Sequence, residues 1–219
     1  MSSGRGLFIT FEGTEGSGKT TQMRMLVERL RASGVPVAEN KEPGGTRIGG
    51  YIRQLLLHPA HQEMDAMTEL LLMFASRTQA AEEIILPALE RGETVISDRF
   101  TDSSLAYQGE ARALGFGTVM ALHRLALGPL FPDLTLCIVV DLETGLARAH
   151  HRNRSTEEET SEARLDRQSL EFHRRVEEGY RKIAALEPLR FRMIDGSGDP
   201  STVAERVWVE VSRAFAERA

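Results

Sequence analysis

A glycine-rich loop near the start of the chain combines glycines, a lysine and threonines at a fixed spacing. The segment GTEGSGKT, residues 13–20, matches the pattern G-x-x-x-x-G-K-[S/T] and lies between an apolar run and a helical pattern. Glycines let the backbone wrap around phosphate oxygens with its N–H groups pointing inward, and the N-terminus of the next helix adds positive potential. Lys19 can reach the β- and γ-phosphates, and the Thr20 hydroxyl can ligate Mg²⁺. The residues predicted to hold a nucleoside triphosphate are Gly13, Thr14, Glu15, Gly16, Ser17, Gly18, Lys19, Thr20 and Thr21.

The loop alone does not identify a second substrate. Switch GTPases, motor ATPases and small-molecule kinases all use it, and a shared fold does not choose among them. The chain lacks the N-K-x-D pattern that a guanine-specific switch protein needs, and no separate motor or nucleic-acid module is evident. A kinase that acts on a small acceptor is therefore favoured.

A second chemical signal lies at the end of an apolar run. Asp98 and Arg99 follow residues 94–97, and the carboxyl ends of parallel strands are where sites form in α/β sheets. The arginine can clamp a monophosphate, and the aspartate can hold Mg²⁺ or its waters. The alternative is a surface ion pair between the two, which would contribute little.

The elements that must position these residues alternate along the chain. Apolar runs that predict buried strands occupy residues 7–12, 94–98, 134–142 and 189–195, with a weaker candidate from Val35. Segments with helical periodicity separate them. The alternation predicts an α/β fold, with a five-stranded parallel sheet and helices on both faces in three layers. No linker or repeat divides the sequence, so we expect one domain over residues 1–219 with a short arginine-rich lid.

Composition excludes several classes. The 219 residues carry a formal net charge of −5, which argues against broad binding to nucleic acid. The one cysteine, Cys137, lies in the apolar run LTLCIVV and is expected to be a buried hydrophobe. No secretory leader and no apolar segment of membrane-spanning length is evident, so no membrane partner is expected. The predicted location is the cytoplasm.

The predicted lid, residues 148–167, departs from this pattern. It is almost entirely polar and contains several arginines, so little would hold it on a core. Loops of this kind often act as lids or binding loops, and a solvated excursion is the alternative.

Together with the phosphate loop, three stretches resemble bacterial thymidylate kinase, which phosphorylates dTMP with ATP. They are EPGGT (residues 42–46), LMFASRTQ (residues 72–79) and SDRFTDSSLAYQG (residues 97–109), and the resemblance continues through PDLTLCIVVDL and SLEFHRRVEEGY. It implies a P-loop kinase fold, ATP as donor, Mg²⁺, dTMP as acceptor and a homodimer. Another nucleoside monophosphate kinase or a deoxynucleoside kinase is the alternative.

The resemblance also implies roles for individual residues. Arg77 would bind the thymine carbonyl, and Arg53 and Arg99 would bind the acceptor phosphate. The family usually has an aromatic residue where this chain has Met73, so either Met73 or the next residue, Phe74, would lie over the base, with a place in the core as the alternative for Phe74. Glu15, Ser104, Tyr107 and Gln108 are also implied to lie at the acceptor. Glu12, which ends the first strand, is close enough to assist the metal or the acceptor, and bracing the phosphate loop is the alternative.

The catalytic cation is implied to come from the lid. Relatives with glycine at the position of Gly16 supply this charge from lid arginines, and this lid is rich in arginine. The candidates are Arg148, Arg152 and Arg154, beside Lys19, Asp98 and Arg99. The usual Asp-Arg pair near the lid's end reads Ala163-Arg164, which leaves open which arginine reaches the phosphates.

Overall fold

The computed structural model describes residues 4–153, 164–165 and 168–218, with side chains omitted for residues 150–153. The predicted lid therefore lies mostly outside the described residues, and so does Arg154.

Five parallel strands form one sheet in the order β2-β3-β1-β4-β5. Their bounds are β1 Phe8–Gly13, β2 Val37–Lys41, β3 Thr94–Asp98, β4 Leu134–Val139 and β5 Phe191–Asp195. This confirms the predicted α/β class and the parallel sheet. The prediction for β4 extended three residues too far, because the apolar run continues past the last paired residue, Val139, into the helix that follows.

Helices cover both faces of the sheet. They are α1 Lys19–Ala32, α2 Arg47–Leu57, α3 Ala66–Ala80, α4 Leu86–Glu90, α5 Thr101–Ser104, α6 Phe116–Leu127, α7 Leu142–Asn153, α8 Leu170–Leu186 and α9 Pro200–Ala216. Two π-helical segments, Ala81–Ile85 and Leu105–Ala111, continue α3 and α5.

The alternation of side chains along β1 explains the three layers. Ile9 and Phe11 pack into a core that α1 and α9 cover, whereas Phe8 packs with residues of α4 and the first π-helical segment. Every residue of β1 is buried because the strand is central and covered on both sides. The buried Cys137 on β4 confirms its expected place in the core.

The carboxyl ends of β1, β2 and β3 lie side by side. Phe11 is in register with Asp98, and Lys41 is in register with the same residue from the other side. The phosphate loop, the EPGGT turn and Arg99 therefore leave the sheet at one edge. In the described part of the chain, every helix is too short or too polar to cross a lipid bilayer.

Candidate active site

A cleft of about 460 Å³ opens at this edge of the sheet. Its walls come from the phosphate loop, the turn after β2, α2, α3, the end of β3 and the second π-helical segment. Predicted site residues on the cleft wall are Thr14, Glu15, Gly16, Ser17, Gly18, Lys19, Thr20, Thr21, Arg53, Met73, Arg77, Asp98, Arg99, Ser104, Tyr107 and Gln108. The structure thus brings together residues that are far apart in the sequence.

The phosphate loop packs directly against the start of α7. Gly16 has φ +69°, and a Cβ atom there would lie 1.9 Å from the carbonyl oxygen of Gly145. A Cβ atom on Gly145 would in turn lie 2.7 Å from the carbonyl oxygen of Glu15. Two glycines therefore permit this approach, and a side chain at position 16 would force α7 away. The helix that leads into the predicted lid is in contact with the loop predicted to hold the triphosphate.

Lys19, Thr20 and Asp98 form one polar cluster at the mouth of the loop. Lys19 Nζ donates to Asp98 Oδ1 at 2.7 Å, and Thr20 Oγ1 donates to Asp98 Oδ2 at 3.4 Å. Burial alone would raise the pKa of Asp98, but the positive charges of Lys19 and Arg99 more than offset burial and lower that pKa below its ordinary value. Asp98 is therefore an ionised carboxylate at neutral pH.

Arg99 lies in the left-handed backbone region, with φ 73°. Its guanidinium donates to Glu15 Oε1 at 3.3 Å, to Ser103 Oγ at 3.0 Å and to Tyr180 Oη at 3.1 Å. It also lies 5.0 Å from the ring of Tyr107. A non-glycine residue in this conformation is strained, and the network of side chains holds it there. The geometry fixes the guanidinium in the cleft wall.

Glu12 lies beneath this arginine rather than on the cleft wall. It is fully buried and accepts hydrogen bonds from the Phe100 amide at 2.9 Å and the Tyr180 hydroxyl at 2.9 Å, and from Ser103. Burial raises the pKa of Glu12 to about 7, against the opposing charge of Arg99. Its contacts brace the segment after β3, and its expected place at the acceptor stays a prediction.

Arg77 is almost completely buried, at 2% exposure, and still belongs to the cleft lining. Its Nε donates to Glu42 Oε2 at 2.6 Å, one terminal nitrogen donates to Ser104 Oγ at 3.0 Å, and the other donates to the Phe100 carbonyl at 3.0 Å. A guanidinium has five N–H donors, so two remain without an acceptor among the described residues. Arg77 is thus held in place by three hydrogen bonds, and its other two N–H groups can donate to a ligand.

Met73 and Phe74 occupy different places. Met73 lies on the cleft wall, one helical turn before Arg77. Phe74 is buried in the core, with its ring 4.7 Å from the Arg77 guanidinium. Among the described residues, the cleft wall therefore offers Met73 and not Phe74 toward a bound base, although the role of either residue stays a prediction.

The predicted arginines of the lid are only partly described. Arg148 is exposed on α7, and the backbone of Arg152 belongs to the same helix. Arg164 is buried at 1% exposure and donates to Glu69 Oε2 at 2.6 Å. Arg53 lines the cleft and donates to the Pro43 carbonyl at 2.8 Å.

Several residues at the site were missed in the sequence. Two of them, Glu42 and Ser103, line the cleft and bond to Arg77 and Arg99. The other three lie outside the lining and support it: Tyr180 bonds to Arg99, and Glu69, itself bonded to Arg112, bonds to Gln108. Spacing could have indicated Glu69. It lies four residues before Met73 and eight before Arg77, on the same face of α3. An acidic side chain on that buried face needs a partner, which would have pointed to a supporting role.

The comparisons with known proteins agree with this geometry. The family model for thymidylate kinase matches residues 11–207. The chain is 48% identical over 194 residues to the thymidylate kinase of Citrifermentans bemidjiense, covering 89% of this chain and 86% of that one. It is 43% identical over 207 residues to the thymidylate kinase of Solidesulfovibrio magneticus, covering 94% and 99%.

A solved structure gives the same result for the fold. The crystal structure of thymidylate kinase from Ehrlichia chaffeensis matches with a TM-score of 0.75 and 33% identity, over 95% of this chain and 99% of that one. Because the family model and these relatives cover nearly the whole sequence, the chain belongs to the thymidylate kinase family.

Proposed function

We propose that this protein is a nucleoside monophosphate kinase that transfers the γ-phosphoryl group of ATP to dTMP, giving dTDP and ADP. The observation that carries the proposal is a single cleft with two differently built ends. Lys19 and the phosphate loop form the proposed donor end of its lining, and Arg77 belongs to the proposed acceptor end, with Arg99 also in the wall. Family membership favours dTMP as the acceptor over other nucleoside monophosphates.

The donor end supplies positive charge and backbone N–H groups. Lys19 is held by Asp98 at 2.7 Å, so its ammonium is already placed at the mouth of the loop. The N-terminus of α1 begins at the same residue and adds its positive end. Phosphoryl transfer needs in-line positioning and stabilisation of negative charge more than covalent participation by the protein. The acceptor phosphate is itself a nucleophile, so no general base is required.

The residues at the loop mouth fit Mg²⁺. The Thr20 hydroxyl and the ionised Asp98 carboxylate are oxygen ligands that lie 3.4 Å apart. Among the described residues, no group of three or more acidic, histidine or cysteine side chains could hold a metal without help. This matches Mg²⁺ in kinases, which takes one or two protein ligands and completes its shell with phosphate oxygens and waters. When bound, the ion would neutralise charge on the β- and γ-phosphates.

The acceptor end supplies guanidinium groups and a base-binding wall. Arg99 follows Asp98 directly and contacts Glu15 of the phosphate loop, which supports its assignment to the acceptor phosphate beside the donor. Arg53 lines the same cleft. Arg77 offers its remaining N–H donors toward the base, and carbonyl oxygens such as those of thymine are suitable acceptors.

An acceptor panel tests the proposal. Purified protein with ATP and Mg²⁺ is offered dTMP, dUMP, dCMP, dGMP and thymidine, and ADP release is followed. The expected result is the highest kcat/KM with dTMP, no turnover with thymidine, and loss of turnover when EDTA removes Mg²⁺. Highest turnover with another acceptor would overturn the substrate assignment, and ADP release without any acceptor would indicate a plain ATPase.

The proposal extends to a homodimer. Large apolar side chains are exposed on the outer faces of α2 and α3, two helices that pack against each other: Ile48, Tyr51, Leu55, Met67 and Leu71. Exposed large apolar side chains grouped on neighbouring helices are typical of protein interfaces. The cytoplasmic location and the organisation of residues 1–219 as one domain stay predictions.

A further inference from the structure

A buried carboxylate connects the acceptor end of the cleft to the end of the arginine-rich segment. Glu69 on α3 has no exposed surface. Its Oε1 accepts from Gln108 Nε2 at 2.9 Å and from Arg112 Nε at 3.3 Å. Its Oε2 accepts from Arg112 Nη2 at 3.2 Å and from Arg164 Nη2 at 2.6 Å. Arg112 therefore binds the carboxylate with both prongs of its fork, and Gln108 and Arg164 complete the shell.

Two rows of side chains, one on α3 and one on residues 101–111, face each other across the base-binding wall. Glu69, Met73 and Arg77 are spaced four residues apart on α3 and share one face. Ser104 and Gln108 follow each other at the same spacing on the opposing segment. Two hydrogen bonds join the rows, one at each end: Arg77 donates to Ser104, and Gln108 donates to Glu69. Met73 lies between these two cross-links on the cleft wall.

The charge of Glu69 fixes which way the Gln108 amide faces. Burial would raise the pKa of Glu69, but Arg112, the hydrogen bond from Gln108 and Arg164 together lower it, so the group is an ionised carboxylate. An ionised carboxylate only accepts hydrogen bonds. Gln108 must therefore turn its NH₂ group toward Glu69, which leaves its carbonyl oxygen for the other side. That oxygen has no donor among the described residues, and Gln108 lines the cleft.

We propose that Glu69 is a positioning residue for acceptor specificity: it holds Gln108 so that an acceptor oxygen lies beside the donor groups of Arg77. This rests on the proposed function. A donor and an acceptor side by side complement the C4 carbonyl and N3–H of thymine or uracil. They oppose cytosine, which has an unprotonated N3 and an amino group at those positions. Glu69 thus favours the keto pyrimidine without touching it.

Glu69→Gln separates this role from simple packing, because the substitution keeps the shape and removes the charge. The bond from Arg112 Nε to Oε1 is lost, because Oε2 accepts a terminal nitrogen from each of Arg112 and Arg164 and the carbonyl oxygen of the new amide takes that place. The NH₂ group of the new amide then faces Gln108. Gln108 must turn its carbonyl oxygen toward position 69 to accept from that group, so its own NH₂ group turns toward the base. The cleft would then offer a donor to N3, which suits cytosine better than thymine.

The experiment measures kcat/KM for dTMP and dCMP in the wild type, in Glu69→Gln and in a matched control, Glu210→Gln. Glu210, on α9, is a mostly buried carboxylate that pairs with Arg192 of β5 and Arg213 of α9, and none of the three lines the cleft. The preference for dTMP over dCMP is expected to fall at least about tenfold in Glu69→Gln and to stay unchanged in the control. A general loss of activity with an unchanged preference would show a structural role only and overturn the proposal.

A double variant keeps the test decisive if Glu69→Gln does not fold. Glu69→Gln with Gln108→Glu conserves the number of charges in the cluster and returns an oxygen acceptor to the cleft. The dTMP preference is expected to recover to within about threefold of the wild type. A double variant that is unfolded or still lacks the preference would contradict the proposal. Failure of the wild type to phosphorylate dTMP would instead contradict the proposed function.

Discussion

Lys19 and Asp98 are joined by a 2.7 Å ion pair across the mouth of the phosphate loop, although 79 positions separate them in the sequence. Each is about one-tenth exposed, so the pair is largely shielded from solvent. The same carboxylate receives the Thr20 hydroxyl, and thus one acidic group orients both the cation and the hydroxyl of the loop. The ion pair therefore holds the Lys19 ammonium at the mouth of the loop, where the end of a triphosphate is expected, without help from a nucleotide.

Lys19→Ala should lower kcat/KM for ATP and dTMP by at least about a hundredfold, because one charged donor to the transferring group is removed. The matched control is Lys182→Ala, since Lys182 pairs with Glu110 on the surface and is half exposed. Steady-state kinetics beside a thermal melt check both variants. Near-normal turnover in a folded Lys19→Ala protein would contradict the role assigned to this residue.

Arg99 allows chemistry and backbone strain to be measured separately. Both Arg99→Ala and Arg99→Gly remove the guanidinium, so both should lose most turnover, at least about a hundredfold. Only glycine relieves the left-handed conformation at φ 73°, so Arg99→Gly should be more stable than Arg99→Ala by about 1 kcal/mol. Chemical denaturation measures this difference. A less stable glycine variant would show that the backbone is not strained there.

Glu12 predicts a pH dependence of stability. Its pKa is raised from 4.5 to about 7 by burial, so between these values the folded protein keeps a proton that the unfolded chain releases. The free energy of unfolding should therefore fall as the pH rises from about 5 to 7, by up to about 3 kcal/mol from this group.

The substitution Glu12→Gln removes this dependence while its amide can still pair with the hydroxyls around it. Urea unfolding at pH 5 and pH 8 should show a smaller decrease for the variant than for the wild type. Parallel pH profiles for the two proteins would mean that Glu12 is charged throughout this range.

The sequence predicted the sheet and the phosphate loop because both depend on local patterns. The bounds of β3 agree at both ends, since Thr94–Asp98 is an apolar run between a helix-ending Gly92 and the start of the site. The glycine spacing of the loop has one dominant structural explanation, and the loop lies in the predicted context between β1 and α1. Local order of this kind is visible without knowing what packs against it.

The supporting residues could not be predicted in the same way. Glu42 pairs with Arg77 across 35 positions, and Glu69 pairs with Arg164 across 95. Nothing in either neighbourhood indicates the partner, because these pairs depend on how the turn after β2 and the segment at Arg164 pack against α3. The close approach of Gly16 to Gly145 depends likewise on tertiary packing. Residue types indicated the chemistry, and the fold determined which groups hold it in place.

Met73 provides a test of the base-binding wall. Met73→Ala removes the thioether from the cleft and should raise KM for dTMP about fivefold, with a smaller effect on KM for ATP. Met73→Phe offers a ring to the base and should keep KM for dTMP at or below the wild-type value. Met25→Ala is the control, because Met25 is a half-buried methionine on α1 outside the cleft. Equal KM values in all four proteins would remove Met73 from the acceptor site.

The apolar faces of α2 and α3 give the last prediction. Tyr51 is 62% exposed at the centre of the outer face of α2, and Leu71 is 51% exposed on α3. If two copies associate through these faces, Tyr51→Glu buries an unpaired charge in the interface and should produce a monomer, because such burial costs several kcal/mol. Leu189→Glu is the control, since Leu189 is 90% exposed and lies between α8 and β5. Sedimentation velocity should show a dimer for the wild type and for Leu189→Glu, and a monomer for Tyr51→Glu. A dimer that persists in Tyr51→Glu would place the interface elsewhere.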